Sequence, residues 1–235
     1  LAYRVNNDEL DIFIKEFFQD KEARGLNITL PHKKRAALLE GKISQEARYI
    51  NAVNTIVKEN DKLHLFSTDG AGFINDIENK KFNLKNKNIL IIGAGAAVES
   101  ILYRVATAKP MKITVINRTI EKADRLIRKF GNMTKIRSEA EIDRPFDLVI
   151  NGSSAGLTGD FFPEENIPLT SKTYFYDLNY SLTETPFCKW AKEKADNVHD
   201  GMGMLVYQAA YSFEKWFNIF PNTDKVINDL EEMRE

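Results

Sequence analysis

The sequence predicts an α/β fold in which helices cover both faces of a parallel sheet. From about residue 84 onward, short apolar runs of strand length alternate with stretches of helical periodicity. One of these runs ends in a glycine turn, Gly93-Ala94-Gly95, and a helical pattern begins directly after it. Such alternation is typical of βαβ units, whose strands pair in parallel. With 235 residues, the chain is also long enough for a second domain.

The first 69 residues have a different pattern, which predicts a smaller α/β domain. Apolar residues at helical spacing over 8–18 predict a helix, and 26–30 alternates as a strand does. Pro31 suits the first position of a new helix. The remaining predicted elements are a short helix over 44–50, a hairpin of strands 52–58 and 62–67, and a helix that Asp69 opens.

The later part of the chain predicts the parallel sheet itself. Strands are expected at 89–92, 112–116, 134–137, 146–151, 173–178 and near Val198. The helices between and after them are expected at 96–107, 120–130, 186–194, 202–217 and from about 223 onward. Together with the glycine turn after its first strand, this series predicts a Rossmann-type domain.

The glycine turn predicts a phosphate site. Gly93 allows a tight turn, and Gly95 lets the backbone approach a pyrophosphate at the helix N-terminus. Val98 stands where a smaller residue is usual, so it should hold the helix further from the strand. The alternative is an ordinary buried strand followed by a turn.

The end of the second strand in this domain favours NADP over NAD. NAD sites usually place an Asp or Glu there, whereas this chain has Asn117-Arg118-Thr119. Arg118 can grip a 2′-phosphate with two hydrogen bonds, and Asn117 and Thr119 can add others. The alternative is that Thr119 caps the next helix and Arg118 is solvated.

Polar residues in unfavourable places mark a second candidate site. Asn27 and Thr29 share one face of the predicted strand, and Lys33 lies in the first turn of a helix, where the helix dipole disfavours a cation. Asn54 interrupts a run of strand-forming residues, and Asp69 begins a helix. A lysine beside a carboxylate suits proton transfer. The alternatives are a solvated Lys33, a strand end at Asn54 and a helix cap at Asp69.

Composition excludes several function classes. Lys plus Arg (33) nearly balances Asp plus Glu (34), so neither nucleic acid nor an anionic membrane is an expected partner. The single cysteine, Cys188, excludes an internal disulfide and fits a reducing compartment, so a cytoplasmic location is expected. No apolar run approaches the roughly 20 residues that span a bilayer. No metal site is predicted.

Taken together, these segments resemble the shikimate dehydrogenase family, the shikimate:NADP oxidoreductases. Gly25-Leu26-Asn27-Ile28-Thr29-Leu30-Pro31-His32-Lys33 is similar to the G-x-N-V/I-T-x-P-x-K segment of that family. The other matching segments are Ala52–Thr55 (A-V-N-T), Ser67–Gly70 (N-T-D-G), Gly93–Ala97 (G-A-G-G-A), Asn117–Thr119 (N-R-T), Asp177–Tyr180 (D-x-x-Y) and Asp200–Gln208 (D-G-x-x-M-L-x-x-Q). They follow the family's order over almost the whole chain.

The resemblance implies an enzyme of aromatic amino-acid biosynthesis that interconverts 3-dehydroshikimate and shikimate by hydride transfer, with NADP as cofactor. Lys33 would be the general acid/base, paired with Asp69. The substrate would be bound by Asn27, Thr29, Asn54, Tyr180 and Gln208. The cofactor would be bound by Gly93, Ala94, Gly95, Ala96, Ala97, Asn117, Arg118, Thr119, Asn151 and Gly201.

The resemblance also implies the domain organisation. A substrate domain is expected over 1–69, an NADP-binding Rossmann domain over 70–202, and C-terminal helices over 203–235 that pack back on the substrate domain. The active site is expected in the cleft between the domains, in a monomer or homodimer.

Departures from the family pattern leave alternatives open. The family's S-x-S-P-x-x-H-N segment has no counterpart here, since no serine precedes Ser44. The expected explanations are a missing leading segment or a divergent member. Gly152-Ser153 stands where Ala-Thr is common. The rival functions are a quinate/shikimate dehydrogenase and a truncated or catalytically weak nucleotide-binding regulatory module.

Overall fold

The computed structural model describes residues 1–138, 144–154, 161 and 167–234, which divide into two compact units. The first unit comprises Leu1–Asp69 and Gln208–Pro221, and the second comprises Gly70–Tyr207 and Asn222–Glu235. The C-terminal segment is therefore divided between the units, whereas the sequence assigned all of 203–235 to the first. In particular, the last helix belongs to the second unit.

The first unit is built on a four-stranded sheet in the order β1-β3-β4-β2. Strand β1 pairs antiparallel with β3, β3 pairs antiparallel with β4, and β2 pairs parallel with β4. The strands are β1 (Gly25–Asn27), β2 (Lys42–Ile43), β3 (Thr55–Glu59) and β4 (Lys62–Phe66). The helices are α1 (Leu10–Phe17), α2 (Lys33–Ala36) and α3 (Gln45–Ile50), together with the part Gln208–Phe217 of a later helix, α8 (Met202–Phe217). The core comprises Leu10, Ile14, Phe18, Ile28, Ala36, Ala47, Val53, Ile56 and Leu65.

The predicted hairpin is present, and its turn has a local cause. Asn60 and Asp61 both have left-handed backbone angles, with φ of 48° and 60°. A two-residue turn with both central residues left-handed matches the twist of antiparallel strands, and Asn and Asp tolerate this conformation better than most residues.

The first strand is shorter than predicted. It ends at Asn27 rather than Leu30, and the peptide bond between Leu30 and Pro31 is cis. The His32 amide donates to the Thr29 carbonyl at 2.9 Å, so the chain turns here and leaves Leu30 65% exposed. Helix α2 consequently begins at Lys33, not at Pro31.

The second unit contains a six-stranded parallel sheet in the order β10-β9-β8-β5-β6-β7. The strands are β5 (Asn88–Ile92), β6 (Lys112–Ile116), β7 (Ile136–Arg137), β8 (Leu148–Asn151), β9 (Tyr174–Asp177) and β10 (Val198–His199). The helices are α4 (Asp69–Asn79, of which Asp69 belongs to the first unit), α5 (Ala96–Thr107), α6 (Ile120–Phe130), α7 (Pro186–Lys192), the part Met202–Tyr207 of α8, and α9 (Thr223–Glu232). The α/β fold and the Rossmann-type sheet predicted from the sequence are confirmed.

The strand order places the ligand-binding edge of this sheet. From β5 the chain continues to β6 and β7 on one side, then returns to β8, β9 and β10 on the other. In open parallel sheets, ligands bind at the carboxyl ends of the strands where the order reverses. Here that point lies between β5, which leads into Gly93, and β8, which leads into Gly152.

The central strands of this sheet are buried on both faces. Ile89, Leu90 and Ile91 of β5 and Leu148, Val149 and Ile150 of β8 have no exposed surface. Such continuous apolar strands are typical of parallel sheets between two helical layers. Within the part of the chain that the structure describes, no helix has the length and apolarity needed to cross a membrane.

Candidate active site

An ion pair between Lys33 and Asp69 is the centre of the polar cluster in the first unit. The Lys33 Nζ lies 2.7 Å from the Asp69 Oδ2. The lysine side chain is 24% exposed and the aspartate side chain 8%, so the ammonium can reach a ligand while the carboxylate stays fixed. Lys33 is the first residue of α2 and Asp69 the first of α4. The pair thus joins a cation that can exchange a proton to an anion that orients it.

Asn54 fixes the other side of the Asp69 carboxylate. It is 2% exposed, immediately before β3, and its Nδ2 donates to the Asp69 Oδ1 at 2.9 Å. The same Nδ2 lies 2.8 Å from the Thr68 Oγ1 and 3.2 Å from the Gln208 Oε1. The Asn54 Nδ2 has only two hydrogens for these three acceptors. A substrate hydroxyl can therefore take the place of the most distant acceptor, the Gln208 Oε1. Asn54 therefore lies at the start of a strand and also holds the carboxylate of the Lys33–Asp69 ion pair.

Asn27 is an exposed member of this cluster, and Thr29, two residues further along the chain, is exposed as well. The Asn27 Nδ2 donates to the Ser212 Oγ at 2.9 Å and to the Asn54 carbonyl at 3.1 Å. Within the described ranges, neither the Asn27 Oδ1 nor the Thr29 hydroxyl makes a hydrogen bond. Both oxygens are therefore available to a ligand.

Buried hydroxyls that were not predicted as site residues complete the cluster. Thr55 and Ser212 have no exposed surface, and Thr68 is 3% exposed. The Thr55 Oγ1 lies 2.7 Å from the Ser212 Oγ and 2.8 Å from the Asn54 Oδ1, and its single hydrogen can be donated to either oxygen. Thr55 and Thr68 stand next to predicted site residues in the sequence. Ser212 follows Gln208 by one helical turn, and that spacing on α8 is the only signal that could have identified it.

The structure thus gathers most of the predicted substrate and catalytic residues in the first unit. These are Asn27, Thr29, Lys33, Asn54, Asp69 and Gln208. The remaining predicted substrate residue, Tyr180, belongs to the second unit, where it is 49% exposed.

The glycine turn of the second unit has the backbone geometry of an anion site. Gly93 has a φ of 107°, and a Cβ there would lie 2.8 Å from the Gly152 carbonyl carbon. Helix α5 begins at Ala96, and its N-cap, Gly95, offers no side chain to the first-turn amides. Those amides, including that of Ala97, therefore remain available to an anion. A side chain at position 93 would clash with the Gly152 backbone, so glycine is needed for the turn to lie against the loop after β8. The tight turn and the free amides at the start of α5 together fit a dinucleotide phosphate.

The three residues after β6 have different roles. Arg118 is exposed and makes no ion pair with any described residue, so it can meet a 2′-phosphate. Asn117 is committed internally: its Oδ1 accepts the Ala94 amide at 3.0 Å, and its Nδ2 donates to the Thr119 carbonyl at 2.7 Å. Asn117 therefore shapes the glycine turn, and its contact with the phosphate stays a prediction. Thr119 is the N-cap of α6, but its side chain makes no capping hydrogen bond.

Asn151 and Gly201 are both buried in the second unit. Asn151 is 1% exposed, and its amide holds the Ser153 hydroxyl at 2.7 Å and the Asp177 Oδ1 at 2.9 Å. The Gly201 amide donates to the Asn179 carbonyl at 3.0 Å. Both residues shape the loops that follow β8 and β9 from within.

Asp177, at the end of β9, is the electrostatic centre of those loops. It is 1% exposed and accepts hydrogen bonds from Asn151, from Asn179 and, at 2.7 Å, from the Thr185 hydroxyl. Burial raises the pKa of the Asp177 carboxyl, while these hydrogen bonds act in the opposite direction. The charged form of the Asp177 carboxyl is therefore stabilised by its hydrogen-bond donors. These donors also connect the loops that follow β8 and β9.

Comparison with known proteins assigns the family. The model of the shikimate dehydrogenase substrate binding domain matches residues 1–56, that of shikimate / quinate 5-dehydrogenase matches 76–158, and that of the shikimate 5′-dehydrogenase C-terminal domain matches 201–231. The shikimate dehydrogenase (NADP(+)) of Hahella chejuensis is 39% identical over 98% of this chain and 87% of that protein.

Solved structures agree in fold. The shikimate 5-dehydrogenase of Thermus thermophilus in complex with NADP(H) and shikimate has a TM-score of 0.81 at 30% identity, covering 99% of this chain and 85% of that one. The 5-ketofructose reductase of a Gluconobacter strain has a TM-score of 0.83 at 28% identity, covering 98% and 86%. The sequence identity and coverage to curated relatives decide the matter: the chain belongs to the shikimate dehydrogenase family.

Proposed function

We propose that this protein is an NADP-dependent oxidoreductase that interconverts 3-dehydroshikimate and shikimate in aromatic amino-acid biosynthesis. The observation that carries the proposal is the 2.7 Å pair of Lys33 and Asp69, whose carboxylate is also held by the Asn54 amide at 2.9 Å. Curated relatives are named shikimate dehydrogenase (NADP(+)), and a solved relative holds both NADP(H) and shikimate.

Lys33 handles the proton of the reacting alcohol. In the oxidation of shikimate it removes the hydroxyl proton, directly or through water, and in the reverse direction it returns that proton to the carbonyl oxygen. Asp69 orients the ammonium through its 2.7 Å contact, and Asn54 holds Asp69. When bound, NADP supplies the hydride chemistry at the nicotinamide ring.

The substrate hydroxyls are bound by Asn27, Thr29, Asn54 and Gln208 of the first unit, with Tyr180 as a further ligand. The uncommitted Asn27 Oδ1 and Thr29 hydroxyl support direct contacts. Asn54 and Gln208 contribute once a substrate hydroxyl replaces their mutual 3.2 Å contact. The first unit is accordingly the substrate-binding part of the enzyme.

The second unit binds the cofactor. The turn Gly93–Ala97 receives the pyrophosphate with its amides, and Arg118 pairs with the 2′-phosphate, near Thr119. The loops that line the cofactor site are held in shape by hydrogen bonds of Asn117, Asn151 and Gly201. Three observations support this assignment: the positive φ of Gly93, the start of α5 without a side-chain cap, and the exposed Arg118, which forms no ion pair with the residues that the structure describes.

We further propose that the enzyme works as a monomer or homodimer in the cytoplasm. The single cysteine supports a reducing compartment. Light scattering measures the oligomeric state, and fractionation of the producing cells measures the location.

Replacing Lys33 tests the proposed chemistry. We expect Lys33→Ala to lower kcat for shikimate oxidation by a factor on the order of 10² to 10⁴, because general acid/base catalysis typically contributes that much. NADP binding, measured by fluorescence titration, should survive. The matched control is Lys34→Ala, since Lys34 is the exposed neighbour.

Substrate and cofactor controls complete this experiment. NADPH formation is followed from shikimate and from quinate, with NADP⁺ and with NAD⁺. A wild-type kcat in Lys33→Ala removes Lys33 from the mechanism. If the wild-type chain forms no NADPH from shikimate, the proposed function is wrong, and quinate oxidation would instead support the quinate/shikimate alternative.

A further inference from the structure

We propose that Ser212 is a positioning residue that holds the Asn27 amide in one orientation, so that its Oδ1 accepts a hydrogen bond from a ring hydroxyl of the substrate. This inference rests on the proposed function. It concerns a buried side chain of α8 that lies outside the motifs carrying the family resemblance.

The geometry around Ser212 is that of a buried junction. Its side chain has no exposed surface, and its Oγ lies 2.9 Å from the Asn27 Nδ2 and 2.7 Å from the Thr55 Oγ1. The Ser212 hydroxyl also lies 3.0 Å from the carbonyl of Gln208, one turn earlier in the helix, and donates to it. Because its single hydrogen is directed there, the Ser212 oxygen serves Asn27 as an acceptor.

The acceptors around Asn27 decide which way its amide faces. The second close neighbour of the Asn27 Nδ2 is the backbone carbonyl of Asn54, at 3.1 Å, and a carbonyl can only accept. If the amide were rotated by 180°, the Asn27 Oδ1 would face both of these acceptors. Hydrogen-bond partners thus fix the orientation of an Asn amide.

The consequence concerns substrate recognition. Asn27 is exposed, and its Oδ1 has no hydrogen-bond partner among the described residues. With the Nδ2 held inward, Asn27 offers an acceptor only, so it selects a hydroxyl that donates. Ser212 acts through Asn27 and does not itself touch the substrate.

Removing the hydroxyl should weaken this recognition selectively. We expect Ser212→Ala to raise the KM for shikimate about fivefold, which corresponds to the loss of one ordinary hydrogen bond. The KM for NADP should stay within about twofold, because the hydroxyl has no role in cofactor binding. Ser212→Cys retains much of the volume but offers a weak acceptor, so it should behave like Ser212→Ala and serves as the second variant.

A double-mutant cycle with Asn27→Ala distinguishes positioning from a general structural effect. If Ser212 acts through Asn27, then Ser212→Ala causes no further loss of kcat/KM for shikimate in the Asn27→Ala background. Equal losses in both backgrounds, or no loss in either, overturn the inference. Ser100→Ala is the matched control, because Ser100 is also buried and bonds a carbonyl of its own helix at 2.7 Å.

The outcomes separate this inference from the proposed function. If the wild-type chain oxidises shikimate but the double-mutant cycle shows no coupling, the proposed function is retained and the role of Ser212 is refuted. A wild-type chain without shikimate oxidation refutes both.

Discussion

At the scale of single residues, the polar side chains divide into those that face a ligand and those that hold them. Lys33, Asn27 and Arg118 keep exposed surface, whereas Thr55 and Ser212 have no exposed surface and lie within hydrogen-bond distance of each other. Asn117 is likewise occupied by backbone partners on both sides of its amide. Polar residues of the same chemical type therefore have different roles, and their hydrogen bonds show which of them can bind a ligand and which of them hold other side chains in place.

Arg118 carries a prediction about the cofactor. We expect Arg118→Asp to lower kcat/KM for NADP by about 10-fold or more while NAD is unaffected or improved. A carboxylate repels the 2′-phosphate that the guanidinium grips with two charge-assisted hydrogen bonds. Initial rates with each cofactor measure the ratio.

The control for Arg118→Asp is Lys172→Asp, which changes the net charge by the same amount at an exposed position of the same unit. An NADP to NAD ratio that is the same in Arg118→Asp and in the wild type would refute the assignment of Arg118.

At the scale of elements, the contact between α5 and the loop after β8 explains an unusual residue in the glycine turn. The sequence suggested that Val98 holds the helix away from the strand. In the structure Val98 has no exposed surface, and a Cβ at position 152 would lie 2.3 Å from the Val98 Cγ2. Gly152 therefore leaves the space that the branched side chain fills, so the two departures from the family pattern compensate each other.

This compensation predicts a coupling between two substitutions. We expect Gly152→Ala to lower the free energy of unfolding by about 1 to 3 kcal/mol, because it overpacks the contact. Val98→Ala should also destabilise, since each buried methylene contributes about 0.8 kcal/mol. The double variant should lose at least about 0.5 kcal/mol less than the sum of the two single losses, because one change makes room for the other.

Urea denaturation followed by circular dichroism measures the three variants. If the losses in the free energy of unfolding are strictly additive, Val98 and Gly152 do not pack against each other, which would contradict the packing explanation.

At the scale of the whole molecule, the free energy of unfolding depends on pH wherever folding changes the pKa of a buried group. His199 lies on β10, half-buried, near Lys80, Asp76 and Asp200. Burial and the Lys80 ammonium lower the pKa of His199 below its ordinary value of 6.5, against the smaller effect of the two carboxylates. The folded protein therefore takes up this proton less readily than the unfolded chain.

The sign of the pH dependence follows. The stability associated with His199 is fully present above pH 6.5 and is lost as the pH falls from there through the lowered pKa of the folded state. We expect the Tm to fall more steeply between pH 7.5 and 5 in the wild type than in His199→Gln. The difference between the two slopes, measured by differential scanning fluorimetry, isolates His199 from the other titrating groups. Parallel slopes would show that His199 does not contribute.

The sequence by itself determined the order of the elements and the α/β class, and it singled out Lys33 and Asp69, which form an ion pair in the structure. These features depend on local periodicity, on glycine and proline chemistry, and on motifs whose members are close together in the chain. That is why helix α5 was predicted with its observed bounds and why the strands of the parallel sheet were recognised from their apolar runs.

Only the tertiary structure decided how the side chains are held. Ser212 lies 185 residues from its partner Asn27, and no local pattern connects them. The Val98 side chain packs directly against Gly152, although β6, α6, β7 and β8 lie between them in the chain. Pro31, expected to open a helix, lies instead in a turn before it. Hydrogen bonds and packing between distant residues depend on distances that only the folded chain establishes, so the positioning of the site could be read only from the structure.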